Sequence, residues 1–210
     1  LARWNAYPLM TGLMPNYEVM GKGKAPESLA DWKGLRVNAS GGIGDLMKTI
    51  GVVTTTVPAP EMYQSLERGV MDGVAFPYTY AFAAYKLHEL STWRTEESSL
   101  GSLTCVVAAS KQAYEALPQQ YKDLIDRVKP IAYQRQIDTY VEIDKKNEKL
   151  FEERGLKKVH FSDADVAKIK EMAVQPSWDA WVAARNAEGL DGQALLDSVL
   201  TLAEEAKKSK

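Results

Sequence analysis

The sequence predicts an α/β fold built around a parallel sheet, because strand-like and helix-like segments alternate through residues 34–77. The predicted strands and helices of this block are, in chain order, residues 35–39, 45–50, 52–57, 61–68 and 70–76. Strand–helix–strand alternation favours parallel strands joined by crossover helices, which is the usual arrangement of α/β sheets. The rest of the chain is interpreted around this block.

Turn and breaker residues set the limits of these elements. Gly51 and Gly69 follow the two predicted helices, where a residue without Cβ adopts the left-handed cap conformation freely. Pro58 and Pro60 stand just before the second helix, at positions where proline is common. Residues 52–57 (VVTTTV) are all β-branched, which is typical of a buried strand.

The remaining chain is predicted to be mainly helical. Outside the block, the predicted strands are residues 103–109 and 156–161, with short extended pieces in residues 1–20. The predicted helices are residues 78–90, 110–117, 118–154, 162–188 and 191–207, and residues 91–102 are predicted to be a polar loop. Pro130 is expected to kink the long helix or to restart it, since proline removes a backbone hydrogen bond.

Composition excludes several classes of function. The 210 residues carry a formal net charge of −2 and lack the basic face of nucleic-acid-binding proteins. His88 and His160 have no second ligand at metal-binding spacing, and Cys105 is expected to be a buried thiol in an apolar strand. No nucleophile or acid–base pair stands out. We therefore predict no catalytic group, no metal site and no cofactor.

Ligands of open α/β sheets bind beyond the carboxyl ends of the strands. One such end leads into the loop SGGIGD, which begins at Ser40 and Gly41 and precedes a helix. The loop lacks the complete phosphate-binding and dinucleotide patterns. It therefore indicates close approach to a small ligand rather than a nucleotide site, and Ser40 and Gly41 are candidate contacts.

An aromatic run follows the third strand of the block. Phe76, Tyr78, Tyr80 and Phe82 alternate across the segment FPYTYAF. A tyrosine at a strand end offers a flat apolar face and a hydroxyl, which suits a pocket for a small ligand. Core packing explains the same spacing equally well, so both interpretations stand at this point.

The order and spacing of several motifs resemble one known family. They are PESLADWKGLRVNASGG, GVVTTTVPAPEMYQSLERGVMDGVAFP, AYKLHEL and KQAYEALP, followed by a long helix, a strand and a Trp-bearing helix. Together they resemble the extracytoplasmic solute-binding subunit of tripartite ATP-independent periplasmic (TRAP) transporters, the DctP-type family. The resemblance extends over essentially the whole chain, and PxPEMYxxLxRGxxDG is its most specific part.

The resemblance implies a two-lobed, Venus-flytrap binding protein of the periplasm, not an enzyme. Residues 16–103 with 144–210 would form the second ligand-binding lobe, and residues 1–15 with 104–143 would form the hinge crossings and a remaining part of the first lobe. Most of the first lobe, roughly a hundred residues, and the signal peptide would precede this chain. The protein is expected to be a monomer that delivers its solute to the membrane subunits of a TRAP transporter.

The chain departs from the family at the ligand itself. Family members clamp the ligand carboxylate with an arginine on the strand after KGL, and that position is Asn38. An asparagine amide cannot form the charge-assisted, two-pronged bond of a guanidinium. A second arginine of some members falls near Tyr17, a polar residue before the proline is replaced by Phe76, and an aromatic residue by Ala59.

These substitutions predict a ligand other than a plain C4-dicarboxylate. An aromatic or apolar acid, a neutral polyol, or a small amine held by cation–π contact fits the aromatic cleft better. The predicted ligand contacts are Asn38, Tyr17, Phe76, Tyr78, Tyr80, Ser40 and Gly41. Two other functions remain open: a small α/β enzyme acting on an organic acid, and a sensor domain of the same fold.

Overall fold

A computed structural model describes residues 4–98 and 100–208. The strands are β1 (Ala6–Leu13), β2 (Tyr17–Gly21), β3 (Arg36–Asn38), β4 (Val53–Thr55), β5 (Gly73–Pro77), β6 (Trp93–Thr95), β7 (Thr104–Ser110) and β8 (Lys157–Val159). The α-helices are α1 (Gly41–Thr49), α2 (Met62–Glu67), α3 (Tyr80–Ala84), α4 (Lys111–Glu115), α5 (Gln119–Glu153), α6 (Asp163–Ile169), α7 (Gln175–Ala187) and α8 (Gly192–Lys208). The few residues at 1–3, 99 and 209–210, which fall within the predicted lobes and loop, lie outside this description.

Six strands form one sheet in the order β4-β3-β5-β2-β6-β8. The predicted block supplies its parallel part, since β3 pairs in parallel with both β4 and β5. β2 runs antiparallel to β5 and β6 on either side of it. β1 and β7 pair with each other in a separate antiparallel sheet. The predicted α/β class is therefore confirmed, with a mixed rather than purely parallel sheet.

Helices cover both faces of the larger sheet. Successive side chains of a strand point to opposite faces, and in β2 Val19 enters one apolar cluster while Met20 enters the other. Val19 lies in the cluster with Ile43 and Met47 of α1. Met20 shares its cluster with Phe151 near the end of α5. Because β3 pairs in parallel with β4 and β5, the carboxyl ends of these three strands meet along one edge of the sheet.

The long helix α5 is continuous from Gln119 to Glu153, so it does not restart at Pro130. The other predicted outcome, a kink at this proline, stays a prediction. The carbonyl that loses its hydrogen bond is four residues earlier, at the exposed residue Asp126. Water can bind that carbonyl, and the helix therefore tolerates the proline. Within the described ranges, no helix is both long and apolar enough to cross a membrane.

Three further expectations are corrected. The predicted loop 91–102 contains the buried strand β6 (Trp93–Thr95), because Arg94 is paired and hydrogen-bonded inside the protein. The predicted helix 78–90 is broken at Lys86, which adopts a left-handed conformation with φ 56°. Cys105 is exposed rather than buried. Its strand β7 belongs to the two-stranded sheet, and a sheet of two strands covers few of its own side chains.

Candidate ligand-binding site

Strand register brings the predicted site residues to one edge of the six-stranded sheet. Asn38, the last residue of β3, pairs with Thr55 at the end of β4 and with Val74 in β5. Tyr17, the first residue of β2, pairs with Pro77 at the end of β5. Three carboxyl ends and one amino end therefore meet there, as the ligand-binding rule for open sheets requires.

Asn38 is buried and is bonded within the protein. Its side-chain oxygen accepts a hydrogen bond of 2.6 Å from the backbone N–H of Val57, and its amide nitrogen lies 3.7 Å from the sulfur of Met62. One end of the carboxamide thus contacts the segment that follows β4, and the other contacts the first residue of α2. The residue at the predicted clamp position stabilises the local backbone in this structure.

Phe76 contacts both a buried and an exposed aromatic ring, so it fits both core packing and a place at the surface of a ligand pocket. Its ring lies 6.4 Å from the buried ring of Phe82 and stacks on Tyr85 at 5.5 Å, with an interplanar angle of 22°. Phe82 is fully buried, whereas Tyr85 is exposed at 37%. Phe76 is therefore the link between the apolar core and an aromatic surface at the end of β5.

Tyr17 and Tyr80 belong to a second aromatic group, which we call the tyrosine cluster and define as Tyr17, Tyr80 and Tyr140 with Met14. The rings of Tyr80 and Tyr140 lie 5.4 Å apart, and both hydroxyls approach the Met14 sulfur, at 3.8 and 3.3 Å. Burial raises the pKa of Tyr80 to about 12, with smaller contributions from Tyr140 and Tyr17. All three tyrosines are half-buried, so the cluster presents mainly apolar ring surface.

Sequence reasoning missed Tyr140 and Met14 as members of this cluster. Tyr140 lies within the partial apolar stripe of α5, which predicts packing but does not identify the partner. Met14 lies in the short link between β1 and β2. Only the packing of α5 against the ends of these strands brings the two residues together.

Ser40 and Gly41 occupy the exposed start of helix α1. Gly41 has φ +59°, and a Cβ added to it would meet no heavy atom within 4 Å. Gly44 is different, because its Cβ would lie 2.8 Å from the carbonyl oxygen of Ala39. The glycines of the predicted loop thus have separate roles: Gly44 permits close packing of the helix, and Gly41 leaves open space beside the strand ends.

Tyr78 points away from the tyrosine cluster. Its hydroxyl donates to Glu148 of α5 and accepts a 2.6 Å hydrogen bond from the guanidinium of Arg94. Arg94 is buried and also pairs with Glu148 at 2.6 Å. This network of bonds from Tyr78 and Arg94 to Glu148 holds the second half of α5 against the sheet. Tyr78 therefore stabilises the fold beside the predicted site.

A cavity of about 340 Å³ lies next to this network, at the crossings between the two sheets. Its lining residues are mostly acidic: Pro15, Asn16, Glu18, Tyr78, Glu96, Glu97 and Asp144. Burial raises the pKa of Glu18 and also that of Asp144. Hydrogen bonds from Ser98 and Thr95 oppose the shift of Glu18. In the part of the chain that the structure describes, no group of acidic, His and Cys side chains could hold a metal ion.

The raised pKa of Glu18 predicts a pH dependence of stability. Between the ordinary glutamate pKa and the raised value, the folded protein keeps a proton that the unfolded chain has released. The free energy of unfolding should therefore fall as pH rises through this window. In Glu18→Gln, the free energy of unfolding measured with urea should fall less between about pH 4 and about pH 7 than it does in the unmodified chain. An equal pH profile for this variant would contradict the prediction, and exposed Glu115→Gln is the control.

Comparison with family models decides the class of this chain. Residues 17–184 match the model of the bacterial extracellular solute-binding proteins, family 7, also called DctP. The chain belongs to this family. Family 7 comprises binding proteins, so the sequence-based predictions of the family and of a non-enzymatic role are confirmed.

Relatives of known structure agree with the family 7 fold. A TRAP solute-binding protein from Rhodoferax ferrireducens, in complex with copurified benzoate, is 23% identical with a TM-score of 0.84, and the match covers 98% of this chain and 65% of that one. A TRAP periplasmic solute-binding protein from Bordetella bronchiseptica, with bound (R)- and (S)-mandelate, is 26% identical with a TM-score of 0.82, covering 92% and 62%.

A curated solute-binding protein from Albidiferax ferrireducens is 23% identical over 165 residues, which are 76% of this chain and 48% of that protein. The chain thus spans about half the length of this relative and less than two thirds of the two solved structures. The two-lobed fold class predicted from sequence is confirmed by these structures. The predicted contact residues remain predictions.

Proposed function

We propose that this chain is part of the periplasmic, ligand-capturing subunit of a TRAP transporter and that its ligand is an aromatic acid. The tyrosine cluster at the strand ends carries the proposal. It offers flat, half-buried aromatic surfaces, which suit an aromatic ring. The relatives with bound benzoate and mandelate support the same ligand class. The protein would act as a monomer and deliver its ligand to the membrane subunits.

The bonds of Asn38 argue against a plain C4-dicarboxylate. Its carboxamide is bonded to Val57 and Met62, and even a free amide could not supply the charge of a guanidinium. A site without this positive charge therefore weakens the binding of a ligand with one carboxylate and an apolar body less than the binding of a ligand with two carboxylates. Other parts of the full-length protein would have to supply a charge for the carboxylate.

The sheets support the lobe boundaries that we propose. Strands β2, β6 and β8 lie in the six-stranded sheet, which corresponds to one lobe of residues 16–103 and 144–210. Strands β1 and β7 pair outside it, and residues 1–15 with 104–143 would belong to the other lobe and its crossings. Ligand binding would then close the two lobes as a hinge motion.

Calorimetric binding by the full-length protein that carries this chain tests the function. We expect it to bind benzoate or mandelate more tightly than succinate, malate or a small amino-alcohol. Tyr17→Leu should weaken benzoate binding about two- to tenfold, since aromatic contacts contribute about 0.5–1.5 kcal/mol beyond burial. Tyr121→Leu removes a tyrosine that is 49% exposed on α5 and is the matched control. Micromolar binding of succinate or malate that Asn38→Ala abolishes would contradict the proposal.

A further inference from the structure

Position 38 has an unusual set of partners for a residue at a ligand-binding edge. The Asn38 oxygen accepts a short hydrogen bond from Val57 N–H, and the other end of its amide contacts the Met62 sulfur. Val57 follows β4 and precedes the short helical turn Ala59–Glu61, which leads into α2. One side chain of β3 therefore fixes the connection between β4 and α2 at both of its ends.

Thr55 lies directly beside Asn38, but its polar group has no hydrogen-bond partner among the described residues, whereas the Asn38 amide is bonded at both ends. The two residues are register partners in neighbouring parallel strands, so their side chains lie on the same face of the sheet. The Thr55 hydroxyl is buried and has no hydrogen-bond partner within the described chain. A buried hydroxyl without a partner destabilises the fold, and a bound ligand can supply the missing partner.

We propose that Asn38 is a positioning residue for the 56–61 segment and that the Thr55 hydroxyl makes the hydrogen bond to the ligand at this edge. The inference rests on the proposed function for its ligand and extends it by assigning separate roles to two neighbouring side chains. Asn38 shapes the rim through Val57, whereas Thr55 offers one neutral hydroxyl. Such a hydroxyl can bind a single carboxylate or phenol oxygen, but it cannot neutralise a second carboxylate.

The role of Asn38 is tested in the ligand-free 210-residue chain by hydrogen exchange of the Val57 amide. Asn38→Ala removes the acceptor and should speed this exchange about tenfold, since a lost hydrogen bond of this kind costs about 1–1.5 kcal/mol. Asn38→Asp keeps an oxygen in place and should retain slow exchange. Unchanged Val57 exchange in Asn38→Ala would overturn the positioning role.

A matched control separates this effect from general destabilisation. Asn186 also accepts a hydrogen bond from a backbone amide, that of Gly192, at 2.9 Å. It lies on α7 and takes no part in the proposed site. Asn186→Ala should speed exchange at Gly192 while Val57 exchange stays as it is in the unmodified chain.

The role of Thr55 is tested with benzoate as the probe in the full-length protein. Thr55→Val keeps the shape but removes the hydroxyl, and it should weaken benzoate binding about tenfold or more, because hydrogen bonds to charged groups contribute more than neutral ones. Thr55→Ser should retain most of the affinity. Thr201→Val, on the exposed face of α8, is the control for the same substitution.

The outcomes distinguish this inference from the proposed function. Benzoate affinity within twofold of the unmodified protein in Thr55→Val would overturn the ligand role of Thr55 while leaving aromatic-acid capture intact. Failure of the unmodified protein to bind benzoate or mandelate would contradict the proposed function and the ligand role of Thr55 together. The role of Asn38 is decided in either case by Val57 exchange, which needs no ligand.

Discussion

Replacing Gly21 with alanine should lower the free energy of unfolding by about 3 kcal/mol or more, at the upper end for overpacked cores. A Cβ at this position would lie 2.4 Å from Cζ2 of Trp93 and 2.7 Å from the carbonyl oxygen of Asp72. Trp93 is fully buried and packs edge-on against Trp32 at 5.7 Å. Neither the indole nor the strand backbone can move aside without disturbing the centre of the sheet.

Urea unfolding followed by tryptophan fluorescence measures this loss. Gly42→Ala is the control, since a Cβ at Gly42 in the first turn of α1 meets nothing within 4 Å. It should leave stability unchanged or raise it by up to about 1 kcal/mol, because alanine favours helix over glycine. Trp93→Leu combined with Gly21→Ala should cost less stability than the sum of the two single changes, because the smaller side chain removes part of the clash. A loss below about 1 kcal/mol in Gly21→Ala would contradict the steric explanation.

Replacing Arg94 with methionine should cost about 3 kcal/mol of stability, because it leaves the carboxylate of Glu148 without its buried partner. The Arg94 guanidinium is 1% exposed and bonds to both oxygens of Glu148, at 3.1 and 2.6 Å. Its carbon also lies 5.4 Å from the Phe151 ring. The loss would combine an unpaired charge with weaker attachment of α5 to the sheet.

A double-mutant cycle separates these two contributions. Arg94→Met combined with Glu148→Leu removes both charges and should be more stable than Arg94→Met alone, since an apolar pair can replace a buried ion pair. The exposed pair Lys111–Glu115, at 3.7 Å, is the control, and Lys111→Met should cost less than about 1 kcal/mol. If Arg94→Met and Lys111→Met lose equal stability, the burial of the Arg94 pair has no energetic consequence.

Local signals in the sequence account for the starts of α4 and α6 and for the central block. Ser162 stands at the start of the predicted helix 162–188, and its hydroxyl accepts a hydrogen bond of 3.1 Å from the Asp165 N–H. Ser110 caps α4 in the same way, with a bond of 3.3 Å from Ala113. These interactions join residues only three positions apart, so the sequence alone is sufficient to predict them.

Strand β6 could not be predicted from its own segment, because the residue that pairs with its buried Arg94 is distant in sequence. The segment around Trp93 and Arg94 is polar, and the burial of Arg94 depends on Glu148, 54 residues later. Polar residues normally indicate a loop unless a charge partner is known. The ion pair that makes this segment a buried strand forms only when α5 packs on the sheet.

The sequence by itself determined the class of the fold, the family and the edge of the sheet where we propose the site. These depend on segment alternation and on motif order, which are properties of neighbouring residues. Only the tertiary structure decided the direction of each side chain at that edge. Asn38 bonds to Val57, Tyr78 bonds to Arg94, and Tyr80 packs against Tyr140. The physical reason is that a side chain follows its hydrogen-bond and packing partners, and at this edge those partners are distant in sequence.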